Sequence, residues 1–253
     1  MKIFVTGTRG IPDIPGGVEK HCQELFPRIA AKGYDVLLCT RDSYVTKKMD
    51  AWRGVKLINC FAPRKKSFEA IVHTFIALLT ARRYSPDVVH IHAIGPSLLT
   101  PIARLMGLKV VVTNHGPDYD RQKWGSIAKF MLRLGEKMGG LYANEVIVIS
   151  SLIANTVRQR CHRESNLIYN GVTFPEKSGE TDFLTHIGVT PGNYLLAVAR
   201  FVPEKGLHDL IDAFKAMDSD YKLVIAGDAD HETNYSRNLR QMASEDNRII
   251  LTG

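Results

Sequence analysis

The feature that most constrains the fold of this chain is a sustained alternation between short apolar runs, rich in Val and Ile, and longer stretches with helical spacing. Runs at residues 2–6, 34–39, 55–60, 87–92, 109–113, 145–149 and 166–169 have the composition of strands buried on both faces. Between most of them apolar residues recur every three or four positions, which predicts helices over 18–32, 68–83, 97–106, 126–141 and 151–162. In the first helix Val18, Cys22, Leu25, Phe26 and Ile29 share a face and Gly33 supplies a C-cap, while Pro27 in its interior predicts a kink or an early break. Such an alternation implies a doubly wound parallel α/β sheet, whose ligands bind at the carboxyl ends of the strands.

The pattern lapses over 173–192 into Gly, Pro, Ser, Thr and charge, which reads as a linker region. It then restarts with strands at 194–199, 221–226 and 248–251 and helices at 207–217 and 233–244. Residues 1–172 therefore read as one Rossmann-like domain and 193–253 as part of a second. The second is short for a domain and reads as unfinished, so its last strand is expected to leave Ile249, Ile250 and Leu251 exposed. No run of about 18 apolar residues occurs, and Cys22, Cys39, Cys60 and Cys161 form no C-x-x-C pair. Both points fit a cytoplasmic protein with reduced, buried thiols.

Charge is distributed unevenly. Residues 1–170 hold 25 Lys and Arg against 13 Asp and Glu, whereas residues 171–253 hold 8 against 13, the two together giving the net charge of +7. Basic runs at Lys47-Lys48, Arg64-Lys65-Lys66, Arg82-Arg83 and Arg158…Arg160…Arg163 could attract an anionic membrane surface or solvate loops and helix ends. Aromatic residues do not interleave with them, so nucleic acid is not an expected partner.

Four short motifs fall at strand ends. Gly16-Gly17 precedes the first helix, where a close backbone approach and free N–H groups suit a phosphate or sugar. His115-Gly116 follows a middle strand, Asn170-Gly171-Val172 sits at the domain crossover, and Arg200…Lys205-Gly206 places two cations five residues apart, able to hold an anion. With their flanking residues, among them Thr113-Asn114-His115-Gly116 and Ala199-Arg200-Phe201-Val202-Pro203-Glu204-Lys205-Gly206, they resemble retaining nucleotide-sugar-dependent glycosyltransferases of the GT-B fold, family 4. The opening Gly7-Thr8-Arg9-Gly10-Ile11-Pro12 is similar to members that build bacterial surface polysaccharides.

The resemblance implies two Rossmann-like parallel-sheet domains facing a cleft, with the acceptor on the side of 1–172 and the nucleotide sugar on that of 193–253. It implies that Arg200 and Lys205 bind the donor diphosphate and that His115 is the catalytic residue beside the transferred sugar. Gly16 and Gly17 would form the cleft glycine loop, and Asn170 and Gly171 the crossover turn. The partners implied are a nucleotide sugar and a glycan or lipid-linked acceptor, at the inner face of the plasma membrane if peripheral. Neither cofactor nor metal is required where Arg and Lys neutralise the leaving diphosphate. The family also carries two glutamates eight positions apart in the second domain, and no two glutamates of this chain have that spacing; these 253 residues alone are therefore expected to be inactive.

Other readings stay open. Tyr44-x-x-x-Lys48 and the opening Met1–Gly7 look like a short-chain NAD(P)-dependent oxidoreductase, although position 13 is Asp where that pattern needs a helix-opening glycine. A non-catalytic nucleotide-binding fragment is the third reading. His90-x-His92 puts two imidazoles on one strand face, and a zinc site with His115 would lack a carboxylate or cysteine set. Asp228 and Asp230 read as loop or cap residues.

Overall fold

Strand residues that point alternately to two different cores build the larger part of the molecule. Phe4, Leu37, Cys39 and Val89 pack on one face of the sheet, while Ile3, Val5, Val36 and Leu38 pack on the other, as a period of two requires. The computed structural model describes residues 1–45, 49–63, 69–120, 124–176, 178–229 and 231–253. The chain divides into two units, Met1–Thr173 and Phe174–Gly253.

In chain order the first unit comprises β1 (Lys2–Thr6), α1 (Gly17–Ala31), β2 (Asp35–Arg41), β3 (Ala51–Trp52), β4 (Val55–Cys60), α2 (Glu69–Tyr84) and β5 (Val88–His92). There follow α3 (Thr100–Leu105), β6 (Val110–Asn114), α4 (Ser126–Tyr142), β7 (Glu145–Val148), α5 (Ser151–Cys161) and β8 (Asn166–Leu167). The sheet runs β3-β4-β2-β1-β5-β6-β7-β8, and every pairing is parallel except that of β3 with β4. The order reverses beside β1, so the ends of β1 and β5 flank a switch point where such sheets hold ligands.

Of the two outcomes expected from Pro27, an early break does not occur: α1 passes through Pro27 to Ala31. Phe26 is fully buried there, and Leu25 and Ile29 pack against the same core. Burial of one such aromatic stabilises by about 1.5–3 kcal/mol, similar to the ~3 kcal/mol an interior proline costs. The antiparallel β3 is too short to leave a periodic signal. All four cysteines are free and buried.

The second unit contains α6 (Asp182–His186), β9 (Tyr194–Val198), α7 (Leu207–Lys215), β10 (Lys222–Ala226), α8 (Asn234–Ser244) and β11 (Ile249–Leu251). Its parallel sheet runs β11-β10-β9. Helix α6 forms inside the stretch expected as a linker. Thr233 and Ser236 cap α8 reciprocally, and Leu239 and Ala243 of that helix share a core with Ile249. Ile249 is therefore buried and Ile250 and Leu251 are partly covered, contrary to the exposure expected for β11. Exposed apolar residues of this unit include Leu196 and Val198 on β9, 57% and 75% exposed, and Phe174 and Phe183 ahead of it.

Candidate active site

At the carboxyl ends of β1, β5 and β6 the first unit gathers a cluster of imidazoles. His92 ends β5, His115 directly follows β6, and His21 lies in the first turns of α1. The Nδ1 of His92 and the Nε2 of His115 share a hydrogen bond at 3.0 Å, and the His21 ring meets the edge of His115 with centroids 5.1 Å apart. The side chain of Asn170 hydrogen-bonds His21. Thus Asn170 and His115, 55 residues apart in sequence, meet through a histidine that no motif had singled out. His90, one ring behind, is held by Thr113 Oγ1 at 2.7 Å from its Nε2.

Backbone geometry explains how β1 delivers its loop to this cluster. A Cβ at Gly7, whose φ is +96°, would lie 2.2 Å from the carbonyl oxygen of His92, so only glycine lets the two strand ends approach. Gly16 (φ +151°) has a different reason to be glycine: a Cβ there would meet Glu19 Oε2 at 2.0 Å and Arg9 Nη2 at 2.3 Å. The Arg9 backbone N–H and its Nε both donate to Glu19 Oε1, at 3.1 and 3.0 Å. The backbone angle of Gly16 requires glycine, and its missing Cβ leaves room for this internal ion pair, whereas the space beside Gly17 and Gly171 is open. Arg9, Glu19 and His21 were missed in the sequence; their signal is spacing, since Glu19 and His21 follow the glycine pair within the first turns of a helix aimed at the strand ends.

Burial sets the protonation of the cluster. It pushes His115 down to about 4, with the neighbouring His21 adding to the shift and Glu19 opposing it. Burial also holds His90 at about 3 and His92 well below the ordinary range, and it lowers His21 against the opposing hydrogen bond from Asn170. For Glu19 burial acts upward, but the hydrogen bonds and charge of Arg9 outweigh it and keep the carboxyl below its usual value. At neutral pH the cluster is a set of neutral imidazoles beside one carboxylate already paired with a guanidinium.

The loop that carries His115 is anchored from behind. Asn114 donates from Nδ2 to Glu136 Oε1 at 3.3 Å and accepts from the Gly116 N–H at 2.9 Å. Tyr119 donates to Glu136 Oε2 at 3.2 Å, and Arg160 Nη1 donates to both, at 2.7 Å to Tyr119 and 2.9 Å to Glu136. Burial and the Glu136 carboxylate push the Tyr119 hydroxyl up to about 12. Arg158 pairs with Glu164, and Arg163 donates to the carbonyls of Gly140, Ala143 and Asn144. The basic run Arg158…Arg160…Arg163 is thus committed internally. Lys47-Lys48 and Arg64-Lys65-Lys66 lie outside the described residues, as does Asp230. Tyr44 donates to Glu69 Oε2 at 3.2 Å and lies under the Arg9 guanidinium.

In the second unit Arg200 and Lys205 sit on the loop between β9 and α7, both exposed. A short helical turn at Pro203–Lys205 ends in Gly206, from which α7 starts without a side-chain cap. Its first N–H groups therefore have no side-chain acceptor from the cap position. Asp228, beyond β10, pairs with Arg240 and accepts from the Ala229 N–H at 2.7 Å.

The model of Glycosyltransferase Family 4 matches residues 15–174, well over half of the chain, and that of Glycosyl transferases group 1 matches 187–252. The chain belongs to glycosyltransferase family 4. Among curated relatives of this family 4 chain, an uncharacterized glycosyltransferase of Methanocaldococcus jannaschii is 25% identical over 215 residues, covering 83% of the chain and 56% of the relative. The uncharacterized glycosyltransferase YqgM of Bacillus subtilis is 26% identical over 159 residues, covering 60% and 42%. The family 4 chain thus spans about half the length of the curated relatives it matches. Its fold is GT-B: all of it superposes on 70% of a sucrose-phosphate synthase from Thermosynechococcus elongatus, with a TM-score of 0.77 at 17% identity. It likewise superposes on 68% of Anabaena HepE in complex with UDP, with a TM-score of 0.71 at 18% identity. Among the described residues no helix is long and apolar enough to cross a membrane.

Proposed function

We propose that this chain serves a retaining glycosyltransferase that moves a sugar, a hexose or a close relative, from a nucleoside diphosphate to a glycan or lipid-linked acceptor in cell-surface polysaccharide synthesis. The observation that carries the reading is the β9–α7 loop. Two exposed cations precede an uncapped helix N-terminus at the carboxyl end of a parallel strand, a combination suited to a diphosphate. HepE, of the same fold, has been crystallised with UDP and with UDP-glucose, which supports a nucleotide sugar as donor here. In this reading residues 1–172 take the acceptor side, with His115, Gly16, Gly17, Asn170 and Gly171 around the acceptor and the transferred sugar, and 193–253 take the donor. His115, neutral at working pH, donates or accepts one hydrogen bond without carrying charge to the reacting centre. No metal is assigned to the transfer step, because Arg200 and Lys205 supply the positive charge.

The chain has no glutamate pair of the family's spacing. We therefore expect the 253 residues alone to bind donor weakly and to transfer no measurable sugar. Calorimetry with a panel of nucleosides, nucleoside diphosphates and nucleotide sugars tests the site. Weak, saturable binding that requires the diphosphate is expected, and Arg200→Ala and Lys205→Ala should each weaken it at least tenfold, since a charge-assisted hydrogen bond contributes roughly 1.5–3 kcal/mol. Binding of NAD(H) in preference to every diphosphate, or binding unchanged in both variants, would overturn the assignment.

A further inference from the structure

We propose that His21, His92 and His115 form a binding site for one divalent transition metal of the zinc type. One ring nitrogen of each lies within 4.8 Å of those of the other two, and the His92–His115 pair is already at 3.0 Å. Nitrogens bound tetrahedrally at about 2.0–2.1 Å from zinc stand roughly 3.3 Å apart, so the cluster closes on an ion with shifts of at most about 1.5 Å. One ring ends β5, the second directly follows the adjacent strand β6, and the third comes from the first turns of α1.

Hydrogen bonding within the cluster is incomplete: His92 Nδ1 and His115 Nε2 share one hydrogen bond, whereas His92 Nε2 is enclosed and has no partner among the described residues. Histidine ligands of metals are commonly oriented by a second polar partner, and the Asn170 side chain is a polar neighbour of His21 that opposes the lowering of its pKa by burial. The donor set contains no carboxylate, because both oxygens of Glu19 are engaged by Arg9. An all-imidazole set favours zinc, cobalt, nickel or copper over magnesium or calcium. His90 is excluded by its bond to Thr113. Three protein ligands leave a fourth position for water or a ligand oxygen, and a metal held there occupies His115 and thereby inhibits the proposed transfer step.

Calorimetry of the 253-residue chain with zinc chloride and with magnesium chloride near neutral pH reads the binding directly and does not depend on transferase activity. One equivalent of zinc and none of magnesium is expected, with affinity falling about 100-fold or more in His21→Ala and in His115→Ala. Labelling of the unsubstituted chain with diethyl pyrocarbonate gives a second readout. Zinc should protect His21 and His115, which are partly accessible, and leave the exposed His162 and His186 reactive. Absence of stoichiometric zinc binding overturns the proposal. So does binding that survives both histidine substitutions, or binding lost instead in Cys39→Ser, which would place the ion beside Cys60 and His73.

Discussion

At Gly16 and Gly17 two adjacent glycines do different work, and substitution separates them. Gly16→Ala forces a Cβ into the Arg9–Glu19 pair at a backbone angle that L-residues avoid, so it should lower the stability of the first unit by about 1–3 kcal/mol or more. Gly17→Ala meets open space on the first helical residue and should leave stability within about 0.5 kcal/mol. Urea denaturation of both variants checks this, and any loss of ligand binding in Gly17→Ala then reports on the site. The buried histidines make a pH prediction. His73 and His90 have folded-state values near 4 and 3, below the 6.5 of the unfolded chain. Above 6.5 both states bind no proton and the full stability is present; as pH falls from 6.5 toward 4 the unfolded chain takes up protons that the folded one refuses. Stability should fall across that window by up to about 1.4 kcal/mol per pH unit for each such histidine, and His73→Leu should flatten the fall of the urea midpoint.

Helix α4 shows what an element can carry that its residues singly do not. Its buried side is made of Gly135, Glu136, Gly139 and Gly140, and the glycines let it lie close to the Ile94 backbone and the Ser97 side chain. The opposite side exposes Ile127 (83%) and Phe130 (64%) with Arg133 and Lys137, an apolar and basic mixture suited to the interface of an anionic bilayer. If the protein works at a membrane, α4 offers a contact in addition to the exposed Arg82 and Arg83, whereas Arg158, Arg160 and Arg163 are held by internal partners. The 253-residue chain should sediment with anionic but not neutral liposomes, and Ile127→Asp with Phe130→Asp should abolish the binding. Equal behaviour with both liposome types would leave α4 a solvated surface. The helical period was readable in the sequence; which face points outward was not, since both sides of α4 mix apolar residues with charge.

On the scale of the whole molecule, the two units differ in how much sheet protects their backbone. Among the described residues the first has an eight-stranded sheet with helices packed on two cores, and the second a three-stranded sheet with one core. Hydrogen exchange should accordingly be slowest in β1, β5 and β6, which are interior to the larger sheet, and faster in β9 and β11, which are edges of the smaller one. Mass-spectrometric exchange on the intact chain measures this, and uniform protection would contradict it.

Apart from β3 with its antiparallel pairing and the short α6, strand and helix order, parallel pairing and the position of the motifs after strands were legible from apolar periodicity, because burial on both faces writes itself into the longer strands. The glycosyltransferase resemblance was legible from Gly16-Gly17, His115, Asn170 and Arg200…Lys205 for the same reason: loops at strand ends are short and carry their chemistry in sequence order. The tertiary structure decided what lies beside what. It brought His21 to His115 and Asn170, set Glu19 against Gly16, turned His90 toward Thr113 and covered Ile249 with α8. The imidazole contacts join residues far apart in the chain and exist only once the parallel sheet has brought the ends of β1, β5 and β6 together, while the contacts of Glu19 and Ile249 are closer in sequence but depend on side-chain packing that no period encodes.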